Sequence, residues 1–313
     1  MGVILMREVL QVLRDGQFHS GEALGVVLGV SRAAVWKRLE HLEAELGLEM
    51  HRVRGRGYKL ASPLSLLEPE AIVAACRAQG WEAQILDSID STNAEVLRCL
   101  AAGAPAPFLV LAERQDNGRG RRGRQWVSPF AENLYYSLGL RLEGGVFSLD
   151  GLSLSVGLAV LRCLREQGVV ETGLKWPNDL LVAGRKIAGV LLELSGDPAG
   201  ECQVVIGIGV NVNMLPGSRV VIDQPWTSLR ECVGRLVDRT ALALALGRWL
   251  QHYLSLHAQG GFAALREEWE ACHLWQGKEV SLLAGPQRID GVVLGVDSLG
   301  ALRLDVAGQE RQF

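Results

Sequence analysis

A chain of 313 residues is too long for one comfortable hydrophobic core, so two or three domains are expected. Hydrophobic residues make up 48% and charged residues 21%; no apolar run approaches the roughly 18 residues of a membrane span and the start lacks a secretory pattern, so a cytoplasmic protein with no membrane partner is expected. The net charge of −3 argues against indiscriminate nucleic-acid binding, and six cysteines without a C-x-x-C pair read as reduced thiols, with no metal site assigned.

In chain order, Leu5, Val9, Val12 and Leu13 follow helical spacing up to Gly16, and Ala23, Leu24, Val27 and Leu28 do so up to Gly29. Ser31 then caps a third helix with Val35, Leu39 and Leu42 as its apolar stripe. A short helix, a tight turn and a capped helix make a helix-turn-helix. Its second helix carries Arg32, Lys37 and Arg38 beside small Ala33 and Ala34, suited to close approach in a major groove. Two short strands around Arg54-Gly55-Arg56-Gly57 add a wing. Residues 31–59 hold seven Arg and Lys against four Glu, a surplus small enough that DNA affinity would need a dimer. The candidate DNA contacts are Ser31, Arg32, Ala33, Lys37, Arg38, Arg54 and Arg56. The competing reading is a protein-interaction module with a solvated basic edge.

Two prolines between Ala61 and Pro69 mark a boundary. Beyond it, a strand at Gln84-Ile85-Leu86 leads to Asp90-Ser91-Thr92-Asn93 and a helix from Ala94 to Leu100. Thr92 and Glu95 fit a capping box, and a helix N-terminus with spare hydroxyl and amide groups also suits a neutral polar ligand. A buried strand from Phe108 to Glu113 delivers Gln115 to the base of Gly118-Arg119-Gly120-Arg121-Arg122-Gly123-Arg124-Gln125-Trp126. Four arginines without an acid, spaced by glycines that admit backbone N–H groups to a ligand, read as a polyanion clamp or else as a solvated basic loop. The loop also matches G-x-G-x-x-G, but Ser128-Pro129-Phe130 and a strand-like stretch follow it in place of the helix that a dinucleotide fingerprint requires.

Residues 133–142 read as a strand and 149–164 as an apolar helix. In Lys175-Trp176-Pro177-Asn178-Asp179 a lysine stands between apolar flanks, where it should meet an anion, either a ligand or Asp179. Residues 186–193 and 202–211 read as neighbouring strands whose Gly207, Gly209 and Asn211 let a ligand lie against the sheet. Two helices broken at Gly260-Gly261 precede three short strands beginning near Glu279, Gly291 and Ala301.

The Ser91-Thr92-Asn93 motif, the arginine loop and the Lys175 to Asp179 motif, in this order, resemble those of the biotin–protein ligases. The resemblance spans nearly the whole chain and extends to the bifunctional members, in which a DNA-binding domain precedes the ligase and represses biotin-synthesis genes. It implies an α+β protein: a winged helix-turn-helix at 1–62, a central mixed-sheet ligase domain of the class II synthetase-like type at 63–273, and a small SH3-like β-barrel at 274–313. It places Ser91, Thr92 and Asn93 on the ureido head group of biotin, with Gln115, Arg119, Gly120, Arg121 and Lys175 completing the biotin site. It assigns Arg121, Trp126, Asn178 and Asn211 to the nucleotide, and Lys175, Arg119 and Arg121 to catalysis. The implied chemistry joins biotin to ATP, with Mg²⁺, as an acyl-adenylate and passes the acyl group to a lysine of the biotin carboxyl carrier protein. Charge stabilisation and exclusion of water do this work, with the arginine loop as a lid, and no Ser, Cys or His nucleophile is needed. Operator DNA and a homodimer formed on adenylate binding are the further partners implied. The alternative is a biotin-sensing regulator without ligase activity. Family members usually continue through another C-terminal strand, so an open barrel edge is expected after Phe313.

Overall fold

Ser20 and Ser31 each accept a hydrogen bond from the backbone N–H three residues on, and these caps start the two helices of the helix-turn-helix. The protein is described by a computed structural model covering residues 2–142, 149–196, 202–217, 222–285 and 287–313. Its first helices are α1 (Gly2–Leu13), α2 (Gly21–Leu28) and α3 (Arg32–Leu46). Gly29, at φ 60°, closes α2 in the left-handed conformation that the tight turn requires. Val9, Leu10, Leu13, Leu24, Leu28, Val35, Leu39 and Leu42 form the core of this unit; the side chain of Leu5 lies outside the described part. Val27, expected on the apolar face, is exposed together with Val26. The wing is β1 (Met50–Val53) paired antiparallel with β2 (Gly57–Leu60).

Residues beyond the expected boundary at 62 take part in the same core, since Leu64, Leu66 and Phe130 pack into it. The winged unit is thus joined to the rest by shared apolar surface and not only by a tether.

The central unit follows as α4 (Pro69–Ala78), β3 (Glu82–Leu86), α5 (Thr92–Ala101), β4 (Phe108–Ala112), β5 (Leu134–Leu142), α6 (Leu152–Glu166), β6 (Gly173–Lys175), β7 (Asp179–Val182), β8 (Arg185–Gly196) and β9 (Cys202–Val210). After them come α7 (Leu229–Val233), α8 (Arg239–Gly260) and α9 (Arg266–Ala271). Its seven strands make one sheet in the order β3-β4-β5-β9-β8-β7-β6, parallel only between β3 and β4. The Lys175 motif, read as one stretch, is a hairpin of β6 and β7. Helix α6 is apolar nearly all round because it lies between the sheet and α8. On the other face α5 packs through Val96 and Leu100 against Val110 and Val205, and Gly139 makes room for it, since a Cβ there would lie 2.5 Å from Val96.

The C-terminal strands β10 (Glu279–Ala284), β11 (Gln287–Val296), β12 (Leu302–Val306) and β13 (Gln309–Gln312) form an antiparallel meander in sequence order. β13 was missed by sequence reading because its exposed Gln, Glu and Arg show no apolar alternation. It covers the free edge of β12, and Val293, Val296, Leu302 and Leu304 join the core of the central unit. No helix among the described residues is long and apolar enough to cross a membrane.

One buried ion pair ties the linker to the sheet. Arg239, at the start of α8, donates to Glu113, to the Asn133 carbonyl (2.8 Å) and to the Ser65 carbonyl (3.0 Å), while Glu113 accepts from the Leu67 N–H (2.7 Å). Both side chains are essentially inaccessible. Glu113→Leu leaves the guanidinium buried without its counter-charge, so a loss of roughly 3–5 kcal/mol is expected in urea unfolding; a loss under 1 kcal/mol would contradict this role for the pair.

Candidate active site

Helix α5 begins over the middle of the sheet. Its cap is Ser91, whose hydroxyl accepts from the Ala94 N–H at 3.5 Å, and not Thr92 as the capping-box pattern suggested. Thr92 is thereby free to face inward: its N–H and its hydroxyl both approach Gln115 Oε1 at 2.9 Å. Gln115 in turn donates from Nε2 to the Ser128 hydroxyl at 3.0 Å. Asn93 lies directly on the backbone of Gly207, where a Cβ would fall 2.4 Å from its amide oxygen. Ser137, on β5, stands 2.7 Å from the Thr92 hydroxyl and 2.6 Å from Asn93 Oδ1. Before Ser91, Asp90 is bound by Arg98, whose hydrogen bonds hold its carboxyl down at about 2 and anchor the first turn of α5. Ser91, Thr92, Asn93, Gln115 and Ser137 line a cavity of about 60 Å³, with Gly189, Gly207 and Gly209 at its floor.

The arginine loop closes one side of it. The loop is more structured than its three glycines suggested: Gly120 N–H reaches the Arg124 carbonyl at 2.7 Å, Trp126 N–H reaches the Gly118 carbonyl at 2.9 Å, and Arg122 and Gly123 turn the chain at φ 55° and 72°. Arg119 pairs with Glu193 at 3.2 Å and Arg121 donates to Asn178 Oδ1 at 3.2 Å. Trp126 lies flat enough on β9 that a Cβ on Gly209 would fall 2.4 Å from its ring. The glycines expected to seat a ligand against the sheet are therefore covered by the protein's own Asn93 and Trp126.

Beyond Trp126 opens a cleft of about 660 Å³, lined by the arginine loop, Lys175 to Asp179, Lys186, Asn211, residues 222–224 and strand β10. Lys175 is exposed there, its ammonium 5.4 Å from the Trp275 ring, so the expected burial among apolar flanks is absent. Nor does it pair with Asp179. That carboxylate is bound to Lys186 at 2.7 Å, and Lys186 Nζ also lies 5.4 Å from the Trp126 ring. Asn211 is buried and donates to the carbonyls of Thr227 (3.0 Å) and Lys186 (3.3 Å), so its amide supports the cleft wall.

Cavity and cleft meet at a seam. Gly120, Arg121, Trp126, Asn178 and Lys186 line both, which puts two cations where a ligand in one space would touch a ligand in the other. Of the sequence candidates, Ser91, Thr92, Asn93, Gln115 and Arg119 line the cavity, Lys175 and Asn211 line the cleft alone, and the loop bridges them. Lys186, Ser137 and Glu193 were missed. Ala183 and Gly184, with φ of 48° and 76°, make the two-residue hairpin turn between β7 and β8 that brings Lys186 back beside Asp179.

On the winged unit, Arg32, Ala33 and Lys37 face solvent on one side of α3, and Arg54 and Arg56 stand exposed at the wing tip. Arg56 is held 4.2 Å over the Phe18 ring. Ser31 is occupied as the cap, Arg38 is half-buried, and Arg52 is neutralised by Glu43, so the basic face is narrower than the charge count implied.

Residues 85–211 match the biotin/lipoate A/B protein ligase family, and residues 6–59 match an HTH domain. The chain is 39% identical over 301 residues to the bifunctional ligase/repressor BirA of Escherichia coli, covering 96% of this chain and 92% of that one. It is also 39% identical over 228 residues to the biotin–[acetyl-CoA-carboxylase] ligase of Paracoccus denitrificans, covering 70% of this chain and 92% of that one. Among solved structures, the biotin protein ligase from Aquifex aeolicus in complex with biotin and ATP superposes with a TM-score of 0.63 at 29% identity, over 74% of this chain and 94% of that one.

Two glycines of the loop should respond differently to a methyl group. A Cβ on Gly118 would lie 2.4 Å from the Trp126 carbonyl and 2.6 Å from the Ser128 hydroxyl, whereas one on Gly120 meets nothing closer than 3.5 Å. Gly118→Ala is expected to lift the loop and speed tryptic cleavage after its arginines, while Gly120→Ala leaves the rate unchanged. Equal rates in the two variants would contradict the packing described.

Proposed function

We propose, since the chain belongs to the bifunctional ligase/repressor family of biotin–protein ligases, that it activates biotin with ATP and transfers it to a protein lysine, and that its winged helix-turn-helix represses biotin-synthesis genes. The observation that carries the reading is the shared seam: a polar pocket for a neutral head group on one side, a cationic cleft of nucleotide size on the other, and Arg121 with Lys186 between them. A carboxylate is a poor electrophile, so an oxygen of biotin's carboxylate bonds to the α-phosphorus of ATP, the α–β phosphoanhydride breaks, and pyrophosphate leaves. The acceptor amine then attacks the acyl carbon, AMP departs, and the amine loses a proton.

Ser91, Thr92, Asn93 and Gln115 hold the ureido ring, and Arg119 closes over it. Lys186, kept in place by Asp179, and Arg121 neutralise the charge that builds on the carboxylate and α-phosphate, with Lys175 further along the cleft toward the outer phosphates. Mg²⁺ enters as the counter-ion of the triphosphate. Trp126 and Asn211 border the nucleotide, and the loop from Gly118 to Trp126 keeps water from the mixed anhydride. The acceptor is the biotin carboxyl carrier protein, and the working compartment is the cytoplasm, which suits six free cysteines. A sensor without ligase activity would need the pocket but not the cations of the seam, so it is not favoured.

Incubation with biotin, Mg²⁺-ATP and a carrier domain, followed by intact mass measurement, should show one biotinyl group added to the carrier; no addition would end the reading. Lys186→Ala should slow biotin-dependent pyrophosphate release by roughly 100 to 1,000-fold, whereas Lys175→Ala should mainly raise the KM for ATP. The reverse pattern would move the reacting atoms to Lys175. Arg121→Gly should let the adenylate escape, read as labelling of lysines on unrelated proteins.

Ligand binding at the loop is proposed to complete a dimer surface that sets two winged units on a palindromic operator. Sedimentation with biotin and ATP should shift the protein toward dimer, and DNA binding should weaken steeply with salt. A monomer at every ligand concentration would remove the switch and leave the ligase.

A further inference from the structure

Glu193 is an acid in a site that collects anions, which calls for a reason. On the ligand side of β8 the residues run Gly189, Leu191, Glu193, and a single carboxylate oxygen of Glu193 takes both Asn93 Nδ2 at 2.6 Å and Arg119 Nη2 at 3.2 Å. A carboxylate only accepts, so the nitrogen end of the Asn93 amide is turned to it and the oxygen end to Ser137. The Ser137 hydroxyl, with one proton, gives it to Asn93 Oδ1 at 2.6 Å. The Thr92 hydroxyl, 2.7 Å from Ser137, gives its own proton to Gln115 Oε1 at 2.9 Å, which also accepts the Thr92 N–H. One negative charge therefore sets which end of the Asn93 amide faces Ser137 and which way Ser137 donates.

We propose that Glu193 is a positioning residue for the reaction: it fixes the donor and acceptor pattern of the head-group pocket, so that Asn93 presents an acceptor to a ring N–H, and it docks Arg119, so that the loop closes on a filled pocket. The proposal rests on the biotin-ligase reading. Because Arg119 is about half exposed, its pair with Glu193 is weak and exchangeable, as a closing loop requires, whereas the bond to Asn93 is shielded by α5.

The test measures steady-state kinetics with biotin and with 2-iminobiotin, which carries an extra N–H in place of the urea oxygen, and tryptic cleavage after Arg119. For Glu193→Ala the KM for biotin should rise about tenfold or more with kcat nearly unchanged, the preference for biotin over iminobiotin should narrow, and cleavage should speed up. Glu193→Gln keeps an acceptor for Asn93, so it should recover most of the KM while cleavage stays fast. The proposal is overturned if E193A matches the wild type in KM and cleavage, or if KM rises only together with losses of kcat and thermal stability and E193Q rescues none of them. Should E193A not fold, E193Q alone decides by whether KM and cleavage separate. A wild-type enzyme that forms no adenylate would instead overturn the ligase reading.

Discussion

The middle of the sheet carries three glycines on its ligand face, Gly189, Gly207 and Gly209, and the site follows from that constraint. Gly189 and Gly209 are direct partners on β8 and β9, and Gly207 lies two residues along. A Cβ at Gly207 or Gly209 would strike Asn93 or Trp126 at 2.4 Å, and one at Gly189 would press on Lys186 at 3.1 Å. Bare backbone lets an amide, an indole and an ammonium, which come from a helix start, a loop and a strand start, converge within one small volume. Any larger residue at these positions would separate the groups that must act together.

Convergence alone does not hold them in place; charge and hydrogen bonding do. Asp179 fixes Lys186, Asn178 fixes Arg121, and Glu193 fixes both Arg119 and Asn93. Each tether is an interaction that a phosphate or carboxylate can share or replace, so the site is ordered without being locked. The Trp126 N–H is buried with no protein partner, a donor left over at the point where cavity and cleft meet. The same region is wired to the winged unit: Arg114, beside Gln115, donates to the Glu45 carbonyl at the end of α3, and Arg7 of α1 pairs with Asp87 at 2.9 Å. Arg114 and Asp87 thus give the central unit direct polar contacts to helices α3 and α1.

Much of this was legible in the sequence because it depends on local pattern. Caps, glycine turns and apolar spacing located the helix-turn-helix, and short hydrophobic runs located the central strands. The three polar motifs pointed to the pocket, the loop and the cleft. What failed depended on packing at long range. Thr92 satisfied a capping pattern, yet Ser91 took the cap. Lys175 had apolar neighbours in sequence, but β6 ends there and releases it to solvent, while Lys186, read as the start of a hydrophobic strand, is the cation at the seam. Glu193 and Ser137 lie mid-strand with no motif around them, and only the register of β5, β9 and β8 brings them to one face.

The central claim is that acid and phosphate meet between Arg121 and Lys186. A crystal structure with a non-hydrolysable analogue of biotinyl-5′-adenylate tests it most directly. The account predicts the ureido ring among Ser91, Thr92 and Asn93, and the acyl-phosphate mimic within hydrogen-bond distance of both Lys186 Nζ and the Arg121 guanidinium. An analogue whose phosphate mimic lies against Lys175, away from Lys186, would contradict it.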